Sequence, residues 1–159
     1  MSEKRDLKYL RRMTLNDLPE IMLGELDSYP HPWSEKNFED CLKNRIYSCW
    51  VFERVEEFAG HLVLSASVGE AHILNLCVYP KEQGKGWGRK LLEEAEWIAK
   101  QHQAETCFLE VRPSNYAGMK LYQSAGYNEI GLRKNYYPAD TGREDAVVMA
   151  KALLSTDYV

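Results

Sequence analysis

Several common chemistries are missing from this sequence. None of its four cysteines forms a Cys-x-x-Cys pair, so zinc-ribbon and dithiol redox motifs are unsupported. Its histidines, His31, His61, His72 and His102, are scattered without ligand spacing, and no metal site is indicated. No serine sits in a Gly-x-Ser-x-Gly elbow, which argues against a hydrolase of that type. Neither the P-loop pattern nor the dinucleotide fingerprint Gly-x-Gly-x-x-Gly occurs. No apolar run approaches the length of a membrane span, and residues 1–10 are too charged for a signal peptide. Repeats, low-complexity segments and linkers are absent too. Positive charge is short: the net charge of −4 argues against a generic nucleic-acid binder.

What is present is enough for one core. Hydrophobic residues make up 45% of the 159 residues, which suits a single domain spanning 1–159. The ends, 1–6 and 154–159, are expected to be loose tails. Cys77 and Cys107 lie in apolar strand-like runs, where a buried reduced thiol is the default, as in a reducing cytosol.

Periodicity and punctuation predict the elements. Residues 8–13 read as a strand. Thr14, with Asp17 three residues on, opens a helix to about residue 26. Pro30 and Pro32 make 27–33 a loop, and Ser34 caps a short helix through about 42. Strands follow over 47–54 and 59–67, joined by a turn at Glu56-Glu57, and then over 71–78. A helix over 86–101 places Leu91, Leu92, Ala95, Ile98 and Ala99 toward a core. Residues 106–111 are a strand, and 115–125 a helix stopped by Gly126. The last strands cover 127–134 and 146–151. Strands outnumber helices and mixed pairing is required, so the class is α/β with a mixed sheet.

Between the third of the middle strands and its helix lies Gln83-Gly84-Lys85-Gly86-Trp87-Gly88-Arg89. Glycine lets backbone N–H groups converge on a ligand, and the helix start adds unpaired donors and a positive dipole end. Together they make a cradle for an anionic group such as a pyrophosphate.

Other residues invite chemical roles. Glu110 interrupts an apolar strand, where a carboxylate is costly unless paired or functional. Partial desolvation would suit it to act as a general base; the alternative is a solvent-facing position paired with a lysine. Asn115, Met119 and Tyr122 share one helix face. Asn115 reads equally as a cap, and Tyr122 as a core aromatic or as a proton donor at a cleft. The loop around Pro32-Trp33 is either a stiff connection or a wall beside a groove. Tyr136-Tyr137 before Pro138 either line a peptide groove or decorate a hairpin. Glu144 and Asp145 are either a solvated turn or an attraction for a basic substrate.

Taken together, the chain resembles the GCN5-related N-acetyltransferases, and within them the ribosomal-protein-alanine N-acetyltransferases. The likeness runs from about residue 10 to 151. It rests on Pro32-Trp33-Ser34-Glu35-Lys36, Gln83-x-x-Gly86-x-Gly88-Arg89, Leu109-Glu110-Val111-Arg112, Ser114-Asn115, Leu121-Tyr122, Asn135-Tyr136-Tyr137-Pro138 and Gly142-Arg143-Glu144-Asp145-Ala146. The resemblance implies a mixed, mostly antiparallel sheet with splayed strands, flanked by about four helices. It implies acetyl-CoA as cosubstrate without a metal. Leu76, Cys77 and Val78 would present backbone groups to the acetyl and pantetheine part. Gly84, Lys85, Gly86, Trp87, Gly88 and Arg89 would bind the pyrophosphate, and Asn115 would contact the pantetheine arm or a nearby water. Glu110 would take the proton from an α-ammonium, directly or through water, and Tyr122 would protonate the departing thiolate. Trp33, Tyr136 and Tyr137 would line the peptide site. The implied acceptor is the N-terminal alanine of the small-subunit ribosomal protein numbered eighteen, met in the cytoplasm. No nucleic acid, membrane or second subunit is called for.

The chain departs from that pattern in places. Gly84 stands where relatives often carry arginine, Trp87 replaces a smaller residue, and Ala139-Asp140-Thr141 does not match position by position. Two other readings stay open: a relative acetylating a lysine side chain or small amine, and a non-catalytic acyl-CoA-binding module.

Overall fold

Chain punctuation explains most element ends. The computed structural model describes residues 7–153, so the tails expected at 1–6 and 154–159 lie outside the described residues. The first strand, β1 (Leu10–Arg12), is shorter than the predicted 8–13. Asp17 Oδ2 then accepts from the Thr14 N–H at 2.7 Å and closes a 3-10 turn, Leu15–Asp17. The turn runs into α1 (Leu18–Ser28), with Pro19 in the first turn, where a missing N–H leaves no bond unmade. Ser34 Oγ accepts from the Asn37 N–H at 3.1 Å and caps α2 (Glu35–Lys43). β2 (Tyr47–Arg54) and β3 (Glu57–Ala66) meet at Val55 and Glu56, both at positive φ, so the hairpin turns one residue earlier than expected. β4 (Gly69–Val78), α3 (Trp87–Gln101), β5 (Ala104–Val111), α4 (Tyr116–Ser124), β6 (Asn128–Pro138) and β7 (Arg143–Ala152) complete the order. Gly126, at φ 98°, ends α4 as its sequence position indicated.

The last two strands outrun their predicted limits. β6 continues past residue 134 because an irregularity between Arg133 and Tyr137 absorbs Asn135, which sits at φ 53°. Its N–H donates to Asp145 Oδ1 at 2.9 Å, and Arg143 donates to the carbonyls of Asn135 and Tyr136 at 2.7 and 2.8 Å. These contacts carry the pairing out to Pro138.

The strands form one seven-stranded sheet in the order β1-β2-β3-β4-β5-β7-β6. Every neighbouring pair is antiparallel except β4 with β5. Alternation sends Leu62 and Leu64 to one face, against Leu91, Leu92 and Ala95 of α3. It sends Val51 and Val63 to the other, against Leu18 and Ile21 of α1 and Phe38 of α2. All five residues assigned to the core face of α3 are buried.

Two irregularities interrupt the middle of the sheet. The β4–β5 pairing runs from Gly69↔Ala104 to Ile73↔Leu109 and then stops, so the strands part. In β3–β4, Leu64 pairs with Ile73 but Val63 pairs with Asn75, which leaves Leu74 as an extra residue. A regular strand would turn Asn75 to the same face as Ile73, toward α3. The bulge turns it toward α1.

Candidate active site

Where β4 and β5 part, a cleft of about 1300 Å³ opens through the sheet. A regular pair would fill this space with ladder hydrogen bonds. Here the edges of both strands face a void large enough for an extended ligand. Leu76 and Val78 line it from β4, and Leu109 to Val111 line it from β5, with Arg112 just beyond the strand.

One end of the cleft is the glycine turn. Gly84 and Gly86 have φ of 75° and 85°, and a Cβ on either would meet no atom within 4 Å. They are needed for their backbone shape, and the space beside them is open. Gly86 precedes α3, whose first turn has no side-chain cap and no acidic residue. The first N–H groups of that helix are therefore left for a ligand; Glu82 also lines the cleft, with its carboxylate paired to Lys85 at 3.5 Å and Arg54 at 3.8 Å. Gly88 has a different task. A Cβ there would lie 3.1 Å from Leu121 Cδ2, so its smallness lets α3 approach α4. Trp87 points into the core, between Arg54 at 4.5 Å and Lys90 at 4.8 Å, and anchors the helix start. Lys85 reaches Glu82 at 3.5 Å, and Arg89 reaches Ser124 Oγ at 3.2 Å. Neither side chain lines the cleft.

The β4 edge offers donors. Cys77 is paired into the β3 ladder opposite His61, and Tyr79 N–H bonds Ala59 O, so these odd residues turn their backbone groups to β3. Alternation turns the groups of Leu76 and Val78 toward the cleft. Their carbonyls are taken, by the Tyr29 hydroxyl at 2.7 Å and the Gln83 amide at 2.9 Å. What remains toward the cleft is N–H. Cys77 itself is set back, and burial pushes its thiol up to about 12. The Cys107 thiol is pushed up to about 11 for the same reason, so neither is a ready nucleophile.

Glu110 and Tyr122 both line the cleft. Glu110 Oε1 pairs with Arg133 Nε at 2.9 Å, an arginine where a lysine was the expected alternative. The pair tethers the carboxylate beside the cleft. The Tyr122 ring stands edge-on to Tyr127 with centroids 6.0 Å apart. Burial first, then the field of Cys107 and Cys77, pushes its hydroxyl up to about 12, so it carries its proton at neutral pH. Asn115 caps α4, with Oδ1 accepting from Gly118 N at 2.9 Å, and it also lines the cleft. Met119, placed on the same face by spacing, packs against the core and does not line the cleft.

The other end of the cleft is aromatic. Trp33 packs on Phe38 at 5.1 Å, and Tyr136 stands edge-on to Tyr137 at 4.9 Å. Arg112 lies over the Tyr137 ring at 4.3 Å. Glu144 accepts from Ser114 N, Ser114 Oγ and Arg112, and so clamps the β6–β7 hairpin to the start of α4. Asp145 is held by Asn135 N. Both acidic residues brace the rim rather than standing free in solvent.

Sequence reasoning missed a buried polar group beside the cleft. Glu25, His61 and Asn75 are 1%, 0% and 7% exposed. Glu25 Oε1 meets His61 Nε2 at 2.9 Å and accepts from Asn75 Nδ2 at 2.9 Å; His61 Nδ1 meets the Tyr79 hydroxyl at 2.8 Å. Signals existed. Glu25 falls on the buried stripe of α1 after Leu18 and Ile21, and Asn75 interrupts an apolar strand as Glu110 does. Glu25, His61 and Cys77 offer ligand atoms within 4.8 Å of one another, although their sequence spacing suggests no such cluster. Glu25 and His61 already bond each other directly, and the thiol keeps its proton, so the set is better matched to a hydrogen-bond network than to a cation.

Comparisons with known proteins agree with this geometry. The sequence profile of the Acetyltransferase (GNAT) family matches residues 15–127. A [ribosomal protein bS18]-alanine N-acetyltransferase of Escherichia coli (strain K12) is 38% identical over 134 residues, covering 84% of this chain and 90% of that protein. Its counterpart in Haemophilus influenzae is 36% identical over 131 residues, covering 80% and 88%. The crystal structure of the ribosomal-protein-S18-alanine N-acetyltransferase from Escherichia coli superposes with a TM-score of 0.83 at 33% identity, covering 94% of this chain and 97% of that one. A GNAT acetyltransferase from Elizabethkingia anophelis, solved with acetyl-CoA bound, shares the fold at 23% identity and a TM-score of 0.75, over 94% of this chain and 100% of that one.

Proposed function

The chain belongs to the GNAT acetyltransferase family, and from that premise we propose that it moves the acetyl group of acetyl-CoA onto the α-amine of an N-terminal alanine, that of ribosomal protein bS18. The observation that carries the reading is one cleft with two unlike ends. An open glycine cradle at the start of α3 suits a pyrophosphate, and an aromatic mouth of Trp33, Tyr136 and Tyr137 suits a peptide end. Glu110 and Tyr122 lie on the same cleft.

The cosubstrate supplies a thioester, and the residues of this chain do the rest. Gly84, Gly86 and the first amides of α3 hold the pyrophosphate. An amine attacks only when neutral, and an α-amine has a pKa of about 8, so a modest base suffices. Glu110 takes the proton from the α-ammonium. The freed lone pair forms the C–N bond. The Leu76 and Val78 N–H groups stabilise charge developing on the thioester oxygen. As the C–S bond breaks, the Tyr122 hydroxyl gives its proton to the departing thiolate, and the phenolate left behind is reprotonated by the second proton that the acylated nitrogen sheds to become the amide. Holding both substrates in one cleft supplies much of the rate enhancement. Direct transfer leaves the buried Cys77 and Cys107 without a covalent role. A single domain suffices for all of this, and a ribosomal-protein acceptor is met in the cytoplasm.

The test is steady-state release of CoA thiol with three acceptors: a basic peptide beginning with alanine, the same peptide with a blocked α-amine, and a blocked peptide with internal lysines. Turnover with the free α-amine alone supports the reading. Turnover of the blocked lysine peptide transfers the protein to side-chain acetylation. Acetyl-CoA binding without turnover of any acceptor favours a non-catalytic module.

A further inference from the structure

The buried network around Glu25 takes no part in the chemistry above, yet it reaches the cleft. Glu25 and Asn75 both line it. The network is satisfied at every point but one. Glu25 Oε1 is shared by Asn75 Nδ2 and His61 Nε2, Glu25 Oε2 accepts from Trp33 N at 3.3 Å, and His61 Nδ1 meets Tyr79. Asn75 Oδ1 is buried and has no partner among the described residues. A buried amide oxygen left unpaired is costly, and such atoms invite an explanation.

Three features fix what that oxygen offers. The amide nitrogen donates to a carboxylate, and a flip would set oxygen against oxygen, so Asn75 presents an acceptor only. The carboxylate is itself held by His61, with Tyr79 behind it. The bulge at Leu74 puts Asn75 on the sheet face opposite Ile73 and Leu109, the last paired residues of the parting strands. Glu110, next to Leu109, faces that same side. Glu110 and Asn75 thus leave the two parting strands on the same sheet face, and both residues line the cleft.

We propose that Asn75 Oδ1 accepts one N–H of the acceptor's primary amine, and that Glu25 is the positioning residue that locks Asn75 in this orientation. The inference rests on the α-amine reading above. An ammonium that loses one proton to Glu110 keeps two N–H bonds and gains a lone pair. Holding one of those N–H bonds at a neutral oxygen directs the lone pair to the thioester carbon without competing for the proton.

The experiment is a cycle in enzyme and substrate. Steady-state kinetics are measured with the alanine peptide and its N-methyl-alanine counterpart, on wild type, Asn75→Leu and Glu25→Gln. Acetyl-CoA affinity and melting temperature verify the fold of each variant. Asn75→Leu is expected to lower kcat/KM for the alanine peptide roughly ten- to a hundred-fold, the loss of one hydrogen bond to a reacting amine, with acetyl-CoA affinity unchanged. The penalty for N-methylation shrinks in that variant, because the contact it disturbs is already gone. Glu25→Gln frees the Asn75 amide to flip and lowers kcat/KM similarly. A folded Asn75→Leu with kcat/KM within about two-fold of wild type, or with an undiminished N-methyl penalty, overturns the inference. Should Asn75→Leu not fold, Asn75→Ala carries the same test. Failure of the α-amine reading is distinguishable, because the wild type itself then leaves the alanine peptide unacetylated.

Discussion

Replacing Gly86 by alanine separates the stability of the glycine turn from its use. Gly86 sits at φ 85°, ψ 8° immediately before α3. An L-residue in that left-handed region costs about 1–2 kcal/mol. The new Cβ would meet nothing within 4 Å, so no clash is added to the strain. A domain of this size loses about 2–4 °C of melting temperature per kcal/mol, so Gly86→Ala should melt about 2–8 °C lower. The methyl group would stand in the space proposed for the pyrophosphate. Displacing one charge-assisted backbone hydrogen bond costs about 1.5–3 kcal/mol, roughly a ten- to hundred-fold weaker acetyl-CoA Kd. Gly69→Ala is the matched control. Gly69 has φ 97°, its Cβ also meets nothing within 4 Å, and it does not line the cleft. It should destabilise by a similar amount and leave acetyl-CoA affinity unchanged. Calorimetric titration of both folded variants provides the assay. Equal acetyl-CoA affinity in the two would refute the placement of the pyrophosphate at α3.

Three further outcomes are expected. Glu110→Gln should retain acetyl-CoA binding and lower kcat about 100-fold or more, read by thiol release; a kcat near wild type would remove Glu110 as the proton acceptor. The pH profile carries a sign. Burial raises the Tyr122 hydroxyl to about 12, so its acid form persists well above neutrality. The rate should therefore show no Tyr122-dependent fall before about pH 10. A decline near pH 9 that vanishes in Tyr122→Phe would contradict this. Gly24→Ala would drive a Cβ into the Tyr79 ring in a buried contact, so it should destabilise by about 1–3 kcal/mol in chemical denaturation. An unchanged midpoint would show that the Tyr79 ring moves freely.

Much of this molecule is written locally. Ser34 caps α2 through Asn37, three residues away, and Gly126 ends α4 because it takes the left-handed position just past the helix. The core stripe of α3 follows from the helical period alone. The glycine turn could be read because its backbone shape and its donors belong to adjacent residues. Glu110 could be singled out because a carboxylate in an apolar strand is conspicuous, and Tyr122 because helical spacing puts it on one face with Asn115. The sequence left each with a structural alternative, and only the tertiary structure places both on one cleft.

Local sequence thus specifies the set of elements, the cradle and the short list of candidate groups, because propensity, capping and period act over a few residues. Assembly of the sheet supplied the rest: the insertion of β7 between β5 and β6, the parting of β4 from β5, and the bulge at Leu74 that turns Asn75 toward α1. It also joined Glu25 to His61 and Asn75 across 36 and 50 residues. Those contacts exist only after the sheet has formed. A strand's pairing partner and its register are settled by burial on both faces at once, which no local stretch of sequence records.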